Sequence, residues 1–290
     1  MSCLFVVATP IGNLEDLSPR ALRILKEADL ILAEDTRVTR GLLTAFSIKT
    51  PLESYHQHNE GSKAEQIISR MLEGSLQVAL VTDAGTPAVS DPGALLVSAA
   101  FQAGIEVIAI PGPSAFAAAL SKSGFGEKEF TFFGFLPRKN NELRQKLRSM
   151  QGSASLAVIY ESPHRVLALL NAVGEIYPGC RLSVSRELTK LYEQTLNGTV
   201  EDLLERFRAD AGLLRGEFSL VLQVPPKPLQ EAEEAGDISA EARLMDLIAQ
   251  GRTLRDARAE LLAGGLRKNT VYAAALNLKR LAQNLLERED

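Results

Sequence analysis

From Leu4 onward the chain alternates short, wholly apolar runs with amphipathic stretches. The runs are Leu4-Phe5-Val6-Val7-Ala8, Leu30-Ile31-Leu32-Ala33, Val78-Ala79-Leu80-Val81 and Val107-Ile108-Ala109-Ile110. Runs this short, with no polar alternation, read as strands buried on both faces. Between them the pattern predicts helices at 18–27, 63–72 and 93–103, the first with Ser18 as N-cap and Pro19 in its first turn. Strand and helix in alternation imply a mostly parallel sheet covered on both sides, in which ligands sit beyond the carboxyl ends of the strands. The residues at those ends are Thr9-Pro10-Ile11-Gly12-Asn13, Glu34-Asp35-Thr36-Arg37, Thr82-Asp83-Ala84-Gly85-Thr86-Pro87 and Pro111-Gly112-Pro113-Ser114. Four successive strands therefore end in small, polar or turn-forming residues on one expected rim.

A second block opens near Phe130, with strands expected at 130–135, 156–160, 181–186, 192–199 and 218–224. Closer spacing and polar alternation predict a mixed or antiparallel sheet with fewer crossover helices. Pro225-Pro226-Lys227-Pro228 and the acidic run after it have no apolar period and read as a linker. Helical patterns at 242–248, 254–262 and 271–286 follow, the last two separated by Gly264-Gly265 in a helix-turn-helix-like arrangement. The expected organisation is an N-terminal α/β domain over 1–117, a second α/β domain over 118–225, a linker over 226–240 and a helical tail over 241–290.

Composition narrows the function. The 290 residues are 46% hydrophobic and 23% charged, the balance of an ordinary globular protein. No run approaches the roughly 20 apolar residues of a membrane span, and the first residues lack the basic region of a signal peptide, so a cytoplasmic protein without a membrane is expected. Cys3 and Cys180 stand far apart in short apolar stretches and read as reduced, partly buried thiols. A net charge of −4 excludes a uniformly basic nucleic-acid coat, so cationic patches must be local.

There is no phosphate-binding P-loop, no serine nucleophile elbow and no His-Glu-x-x-His helix. Gly124-Phe125-Gly126 precedes a strand and lacks a third glycine, which makes it a poor dinucleotide fingerprint. His56-Gln57-His58 has no cysteine or paired carboxylate nearby to complete a metal site, and no metal is expected. What remains is the rim. Loops with few large side chains expose backbone N–H and C=O groups to a ligand, although tight strand-to-helix turns alone would look the same. Ser114 can both cap the helix that follows it and touch a ligand.

The ordered segments Ala8-Thr9-Pro10-Ile11-Gly12-Asn13-Leu14, Ala33-Glu34-Asp35-Thr36-Arg37, Asp83-Ala84-Gly85-Thr86-Pro87, Pro111-Gly112-Pro113-Ser114, Tyr160-Glu161-Ser162-Pro163-His164-Arg165, Arg186-Glu187-Leu188-Thr189-Lys190 and Gly216-Glu217-Phe218 resemble the small-subunit ribosomal RNA cytidine 2′-O-methyltransferases. That family is a branch of the tetrapyrrole-methylase superfamily, and the resemblance runs from Leu4 to about Val224. It implies two α/β domains of the tetrapyrrole-methylase type with S-adenosyl-L-methionine in the cleft between them. It also implies a homodimer, and small-subunit ribosomal RNA or the assembled subunit as substrate. Carried over by position, the cofactor contacts are Ile11, Asp83, Gly85, Thr86, Pro87, Val89, Ser90, Ser114, Ala115, Tyr160 and Glu161. Asp35, Thr36, Arg37, Arg165 and Arg186 are expected to meet the substrate. The wider superfamily carries Gly-Asp-Pro in its cofactor loop, whereas this chain has Gly85-Thr86-Pro87 with the acid displaced to Asp83, a departure that favours the RNA branch.

Methyl transfer to a ribose hydroxyl can proceed largely by positioning, and a general base can assist it. His164, Glu187 and Glu161 are the leading expected bases, with Asp35 and Asp83 as further candidates. RNA requires cations. Residues 251–280 hold seven basic residues against Asp256 and Glu260, and Arg138, Lys139, Arg144, Lys146 and Arg148 are opposed by Glu142 alone. Solvated helix faces have the same look. A tetrapyrrole or other small-molecule methyltransferase, and a non-catalytic RNA-binding assembly factor, are the alternatives on this fold.

Overall fold

A computed structural model describes residues 2–226, 240–264, 266 and 268–286, with side chains at all of these except 268, 269 and 280–286. The described chain forms two compact units divided after Pro226. Most of the expected linker, together with Gly265 and Arg267, lies outside the described residues.

The first sheet is parallel throughout. Its strands β1 (Cys3–Val7), β2 (Leu30–Ala33), β3 (Leu52–Ser54), β4 (Gln77–Val81) and β5 (Glu106–Ile110) lie in the order β3-β2-β4-β1-β5. Helices α1 (Pro19–Glu27) and α2 (Thr36–Ala45) cover one face, while α3 (Glu60–Gly74) and α4 (Ala94–Gln102) cover the other. Ile31 and Ala33 pack towards Ile24, Leu25 and Leu43, while Leu30 and Leu32 pack towards Ile67, Met71 and Leu96. Period-two alternation is thus present, but it sorts residues between two cores, and for that reason the strand reads as wholly apolar. Ser18 caps α1 as expected, its Oγ accepting the Ala21 N–H at 3.1 Å.

Helix α5 (Ala115–Ser123) leads to the second sheet, formed by β6 (Phe130–Phe135), β7 (Leu156–Glu161), β8 (Arg181–Arg186), β9 (Gln194–Thr199) and β10 (Phe218–Gln223). Its order is β6-β7-β10-β8-β9, parallel between β6 and β7 and antiparallel elsewhere, the mixed sheet its spacing predicts. Helices α6 (Asn140–Met150), α7 (Val166–Ile176) and α8 (Val200–Ala209) cover one face. On the other face Ala119 of α5 packs with Leu156, Val158, Leu188 and Val221. Helix α5 therefore runs through residue 117 and seats on the second sheet, inside the unit that ends at Pro226.

The second unit contains α9 (Ala240–Ala249), α10 (Leu254–Ala263) and α11 (Lys268–Leu286), packed around Leu244, Ala257, Leu261, Val271 and Ala274. Cys3 and Cys180 are free, and both are buried outright rather than partly. Among the described residues no helix is long and apolar enough to cross a membrane.

Leu32 is fully buried in the middle of the first sheet. Leu32→Ala is expected to lower stability by about 2–5 kcal/mol through lost burial and a residual cavity, read as a lower urea midpoint with an unchanged slope.

Candidate functional site

The carboxyl ends of the parallel strands are joined sideways. After β1, Thr9 exchanges backbone hydrogen bonds with Gly85 beyond β4 (2.9 and 3.0 Å), and its hydroxyl donates to the Thr82 carbonyl at 3.1 Å. After β2, Glu34 accepts the Thr82 hydroxyl at 2.7 Å and the Asp35 N–H donates to Asp83 Oδ1 at 2.9 Å. The Thr86 hydroxyl reaches the Pro113 carbonyl beyond β5 at 3.3 Å. The four turns legible in the sequence are one connected surface.

The β4 loop folds back over this surface through unusual backbone conformations. Gly85, Ala88, Ser90 and Gly93 all have positive φ, at 88°, 64°, 68° and 136°. For Ala88 and Ser90 that conformation costs on the order of 1–2 kcal/mol each. At Gly93 the φ excludes any side chain, and an added Cβ would stand 2.8 Å from Leu80 Cδ2. Strain of this kind is stored where a site needs a fixed shape.

The second sheet supplies the opposite wall. The Tyr160 hydroxyl accepts the N–H of Phe116 at 2.9 Å, in the first turn of α5. Ser114, the expected cap, occupies the N-cap position but its side chain makes no capping bond. Tyr160 does so from another sheet and leaves Ser114 facing the cavity. Phe116, Phe132, Tyr160 and Phe135 form a run of ring contacts at 4.9, 4.9 and 5.8 Å. Burial pushes the Tyr160 phenol up to about 12, so it stays neutral.

Between the walls is a cavity of about 530 Å³, within the range of small-ligand sites. Of the expected cofactor contacts it is lined by Ile11, Asp83, Gly85, Thr86, Val89, Ser90, Ser114, Ala115, Tyr160 and Glu161, whereas Pro87 does not line it. Its charged lining groups are Glu34, Asp83, Asp91, Glu161 and Glu217, without a lysine or arginine. Glu161 is 2% exposed. Its Oε1 accepts the Ser162 N–H at 2.7 Å, while Oε2 has no hydrogen-bond partner and stands 3.4 Å from Arg165. Burial raises Asp83 above the usual carboxylate range. Burial likewise pushes Asp91 up to about 6, with the negative charges of Glu34 and Asp83 adding to the effect and the Thr82 hydroxyl opposing it.

The remaining expected residues lie off the cavity lining. His164 is exposed on the turn after β7. Burial opposes ionisation of Glu187, but the Glu217 N–H (3.0 Å) and the Lys190 ammonium (3.0 Å) outweigh it and hold the carboxyl below its ordinary value. Asp35 caps α2 and is bound at 2.6 Å by Arg37, whose hydrogen bonds draw it down to about 2. Thr36 opens that helix. Arg165 donates to the carbonyls of Leu136 and Pro137, and Arg186 to that of Gly212. Both guanidiniums are engaged in holding backbone. Sequence reasoning did not single out Glu34, Asp91, Phe116, Phe135, Leu188 or Glu217 as lining. Phe135 was within reach of the carboxyl-end rule, because β6 and β7 are parallel.

No group of three or more metal-ligating side chains exists among the described residues. Two α/β layers that share one cavity at their strand ends define the class of proteins that bind a small ligand at a topological junction. The family model for Tetrapyrrole (Corrin/Porphyrin) Methylases matches residues 3–204, and the chain belongs to that family. It is 44% identical over 278 residues, 94% of its length and 96% of the relative's, to "Ribosomal RNA small subunit methyltransferase I" of Pseudomonas aeruginosa. It is 48% identical over 221 residues to the protein of the same name from Xylella fastidiosa, covering 76% of this chain and 81% of that one. Among solved structures, diphthine synthase aligns with a TM-score of 0.58 at 16% identity, covering 80% of this chain and 94% of that one. A uroporphyrin-III-C-methyltransferase from Thermus thermophilus aligns with a TM-score of 0.53 at 24% identity, covering 77% and 94%.

S-adenosylmethionine is the methyl donor of this family, and the cavity fits it. A lining that is anionic wherever it is charged suits a molecule bearing a sulfonium and an ammonium. Glu161 Oε2, ion-paired with Arg165 at 3.4 Å, is a buried acceptor that receives no hydrogen bond from the protein.

Gly93→Ala is expected to destabilise the protein by about 1–3 kcal/mol through backbone strain and to weaken S-adenosylmethionine binding roughly tenfold, the equivalent of about 1.4 kcal/mol. Titration calorimetry and a thermal melt read the two effects, and wild-type affinity in the variant would show that the loop conformation is dispensable.

Proposed function

We propose that this protein transfers a methyl group from S-adenosylmethionine to the 2′-hydroxyl of a cytidine in small-subunit ribosomal RNA, in the cytoplasm and as a homodimer. The observation that carries the reading is the anionic, backbone-lined cavity at the joined strand ends, in a chain 44% identical along 94% of its length to a protein named for small-subunit ribosomal RNA methylation. The tetrapyrrole and non-catalytic alternatives have no comparable support.

The cofactor, when bound, supplies an electrophilic methyl group on a cationic sulfur. Loop backbone at Gly85, Thr86, Val89 and Ser90, with Ile11, Ser114, Ala115 and Tyr160, would hold it. Glu34, Asp83 and Glu161 offset its positive charges. Phe116 and Tyr160 would shield the reacting atoms on the aromatic side, and fixing two reactants in one cavity supplies much of the acceleration.

An anionic cavity repels phosphate, so the RNA backbone has to be gripped elsewhere. On α6 and the two residues before it, Arg144 is paired with Glu175 and Lys139 with Glu142, and Lys146 sits 4.8 Å over the Phe133 ring, while Arg138 and Arg148 are exposed. In the tail unit Arg252 pairs with Glu260 and Arg258 stacks 3.9 Å over Tyr272, while Arg255 and Lys279 are exposed. Arg267 and the side chains of Lys268 and Arg280 lie outside the described residues. The exposed cations on these two elements are the phosphate contacts of this reading.

The direct test is transfer of radiolabelled methyl groups to small subunits that lack the modification, set beside porphyrin and corrin acceptors. Label in ribosomal RNA is expected, and label in the tetrapyrroles alone would overturn the reading. With these four cations as phosphate contacts, RNA affinity is expected to fall by roughly 50-fold between about 50 and 200 mM salt. A filter-binding series checks this, and a flat response would remove the cationic patches from the account.

A further inference from the structure

Deprotonation of the ribose hydroxyl is the part of this reaction that positioning does not supply. The five carboxylates of the cavity differ in how they are held. Glu34 accepts the Thr82 hydroxyl at 2.7 Å, and Asp83 accepts the Asp35 N–H at 2.9 Å. Glu161 is bound through Oε1 by Ser162 and flanked by Arg165. Glu217 is paired with Lys190 at 2.9 Å, its side chain 80% exposed. Asp91 stands apart. Its one protein partner, the Thr82 hydroxyl, has a single proton, and Glu34 receives that proton at 2.7 Å.

The chain around Asp91 is built to hold it still. Ser90 before it has φ of 68°, Pro92 follows it, and Gly93 has φ of 136°. The Ala88 N–H closes the loop onto the Pro92 carbonyl at 3.3 Å, and the Gly93 N–H is anchored to Glu60 of α3 at 3.4 Å. Asp91 lines the cavity close enough to Tyr160 for its charge to raise the phenol. A half-buried carboxylate with open lone pairs, on a strained loop at the wall of a methyl-transfer cavity, has the attributes of a proton acceptor.

We propose that Asp91 is the general base of the reaction, taking the proton of the acceptor hydroxyl as the methyl group is transferred. The ribose oxygen forms its bond to the methyl carbon while its proton passes to an Asp91 oxygen. The donor sulfur keeps the electron pair of the carbon–sulfur bond that breaks, and the proton then leaves to solvent. The titratable groups facing Asp91 are Glu34 beyond β2, Asp83 beyond β4 and Tyr160 on β7. Tyr160 stays neutral, and burial, with the charges of Glu34 and Asp83 added to it, keeps Asp91 more basic than a free aspartate, so at neutral pH it is ionised yet a competent acceptor.

The proposal rests on the methyltransferase reading above, and the full-length protein tests both separately. Three measurements are needed: S-adenosylmethionine affinity by calorimetry, single-turnover methyl transfer to unmodified small subunits between pH 5 and 8.5, and carbon-13 NMR titration of the aspartate carboxyls in the ligand-free protein. Wild-type transfer is expected to rise about tenfold per pH unit below a midpoint near 6 and then level off. Asp91→Asn is expected to bind the cofactor like wild type, to transfer about a hundredfold or more slowly and to lose the pH dependence, while Asp91→Glu restores the profile in part. One carboxyl resonance should titrate near 6 and vanish in Asp91→Asn. An Asn variant that binds cofactor and keeps the wild-type rate and profile overturns the base assignment alone. A wild-type protein that binds cofactor and labels no subunit overturns the ribosomal RNA reading, and the base assignment falls with it.

Discussion

The hydrogen bond from the Phe116 N–H to the Tyr160 hydroxyl joins the two halves of the site at a position where neither half could be satisfied alone. The first turn of a helix presents N–H groups without partners in the helix, and leaving one buried and unmet costs on the order of 1–3 kcal/mol. Helix α5 follows directly on the rim of the first sheet, yet its apolar face seats on the second, among Leu156, Val158 and Val221. A cap from its own N-cap serine would have been independent of the second sheet. By taking the cap from β7 the fold fixes the distance between the walls, and the aromatic run from Phe116 to Phe135 follows from that distance.

A second cross-tie works through close approach. The Lys190 stem lies over Gly12, where any side chain would collide with it, and its ammonium bridges Glu187 and Glu217. Gly216 plays the same part for Glu187, whose side chain lies over it. Glu187 and Thr189 both adopt positive φ, at 51° and 66°. These segments belong to the resemblance the sequence carries, and what they do is hold the β1 turn against the second sheet. A carboxylate engaged by an ammonium and a backbone N–H has little basicity left to offer.

The legible part of this site is the part encoded locally. Small residues after apolar runs mark the rim because a parallel sheet puts every carboxyl end on one side, and that inference needs no knowledge of distant contacts. Helix α2 and the three-residue β3 escaped notice for local reasons as well. One carries three weak helix formers, threonine, valine and glycine, among its stronger ones, and the other is too short to show a period. The proximity of Asp91 to Glu34 was not legible at all. It depends on Ala88 and Ser90 adopting a glycine-like backbone, and nothing in an alanine or a serine announces that. Ser114 makes no capping bond because the hydroxyl of Tyr160, 44 residues beyond Phe116, takes the Phe116 N–H.

Charge then divides the labour of the molecule. Five carboxylates and no cation line a cavity that belongs, by family, to a cationic cofactor, and the same field opposes any phosphodiester that strays into it. A nucleic-acid substrate can reach such a site only with its backbone held outside and one sugar presented inwards, which demands cations at a distance from the reacting atoms. In the proposed reaction the exposed Arg148 of α6 supplies such a cation, and the tail unit carries exposed Arg255 and Lys279 of its own. The anionic lining of the cavity, in the same proposed reaction, admits a neutral ribose to the methyl donor and turns the phosphates of a polyanion away.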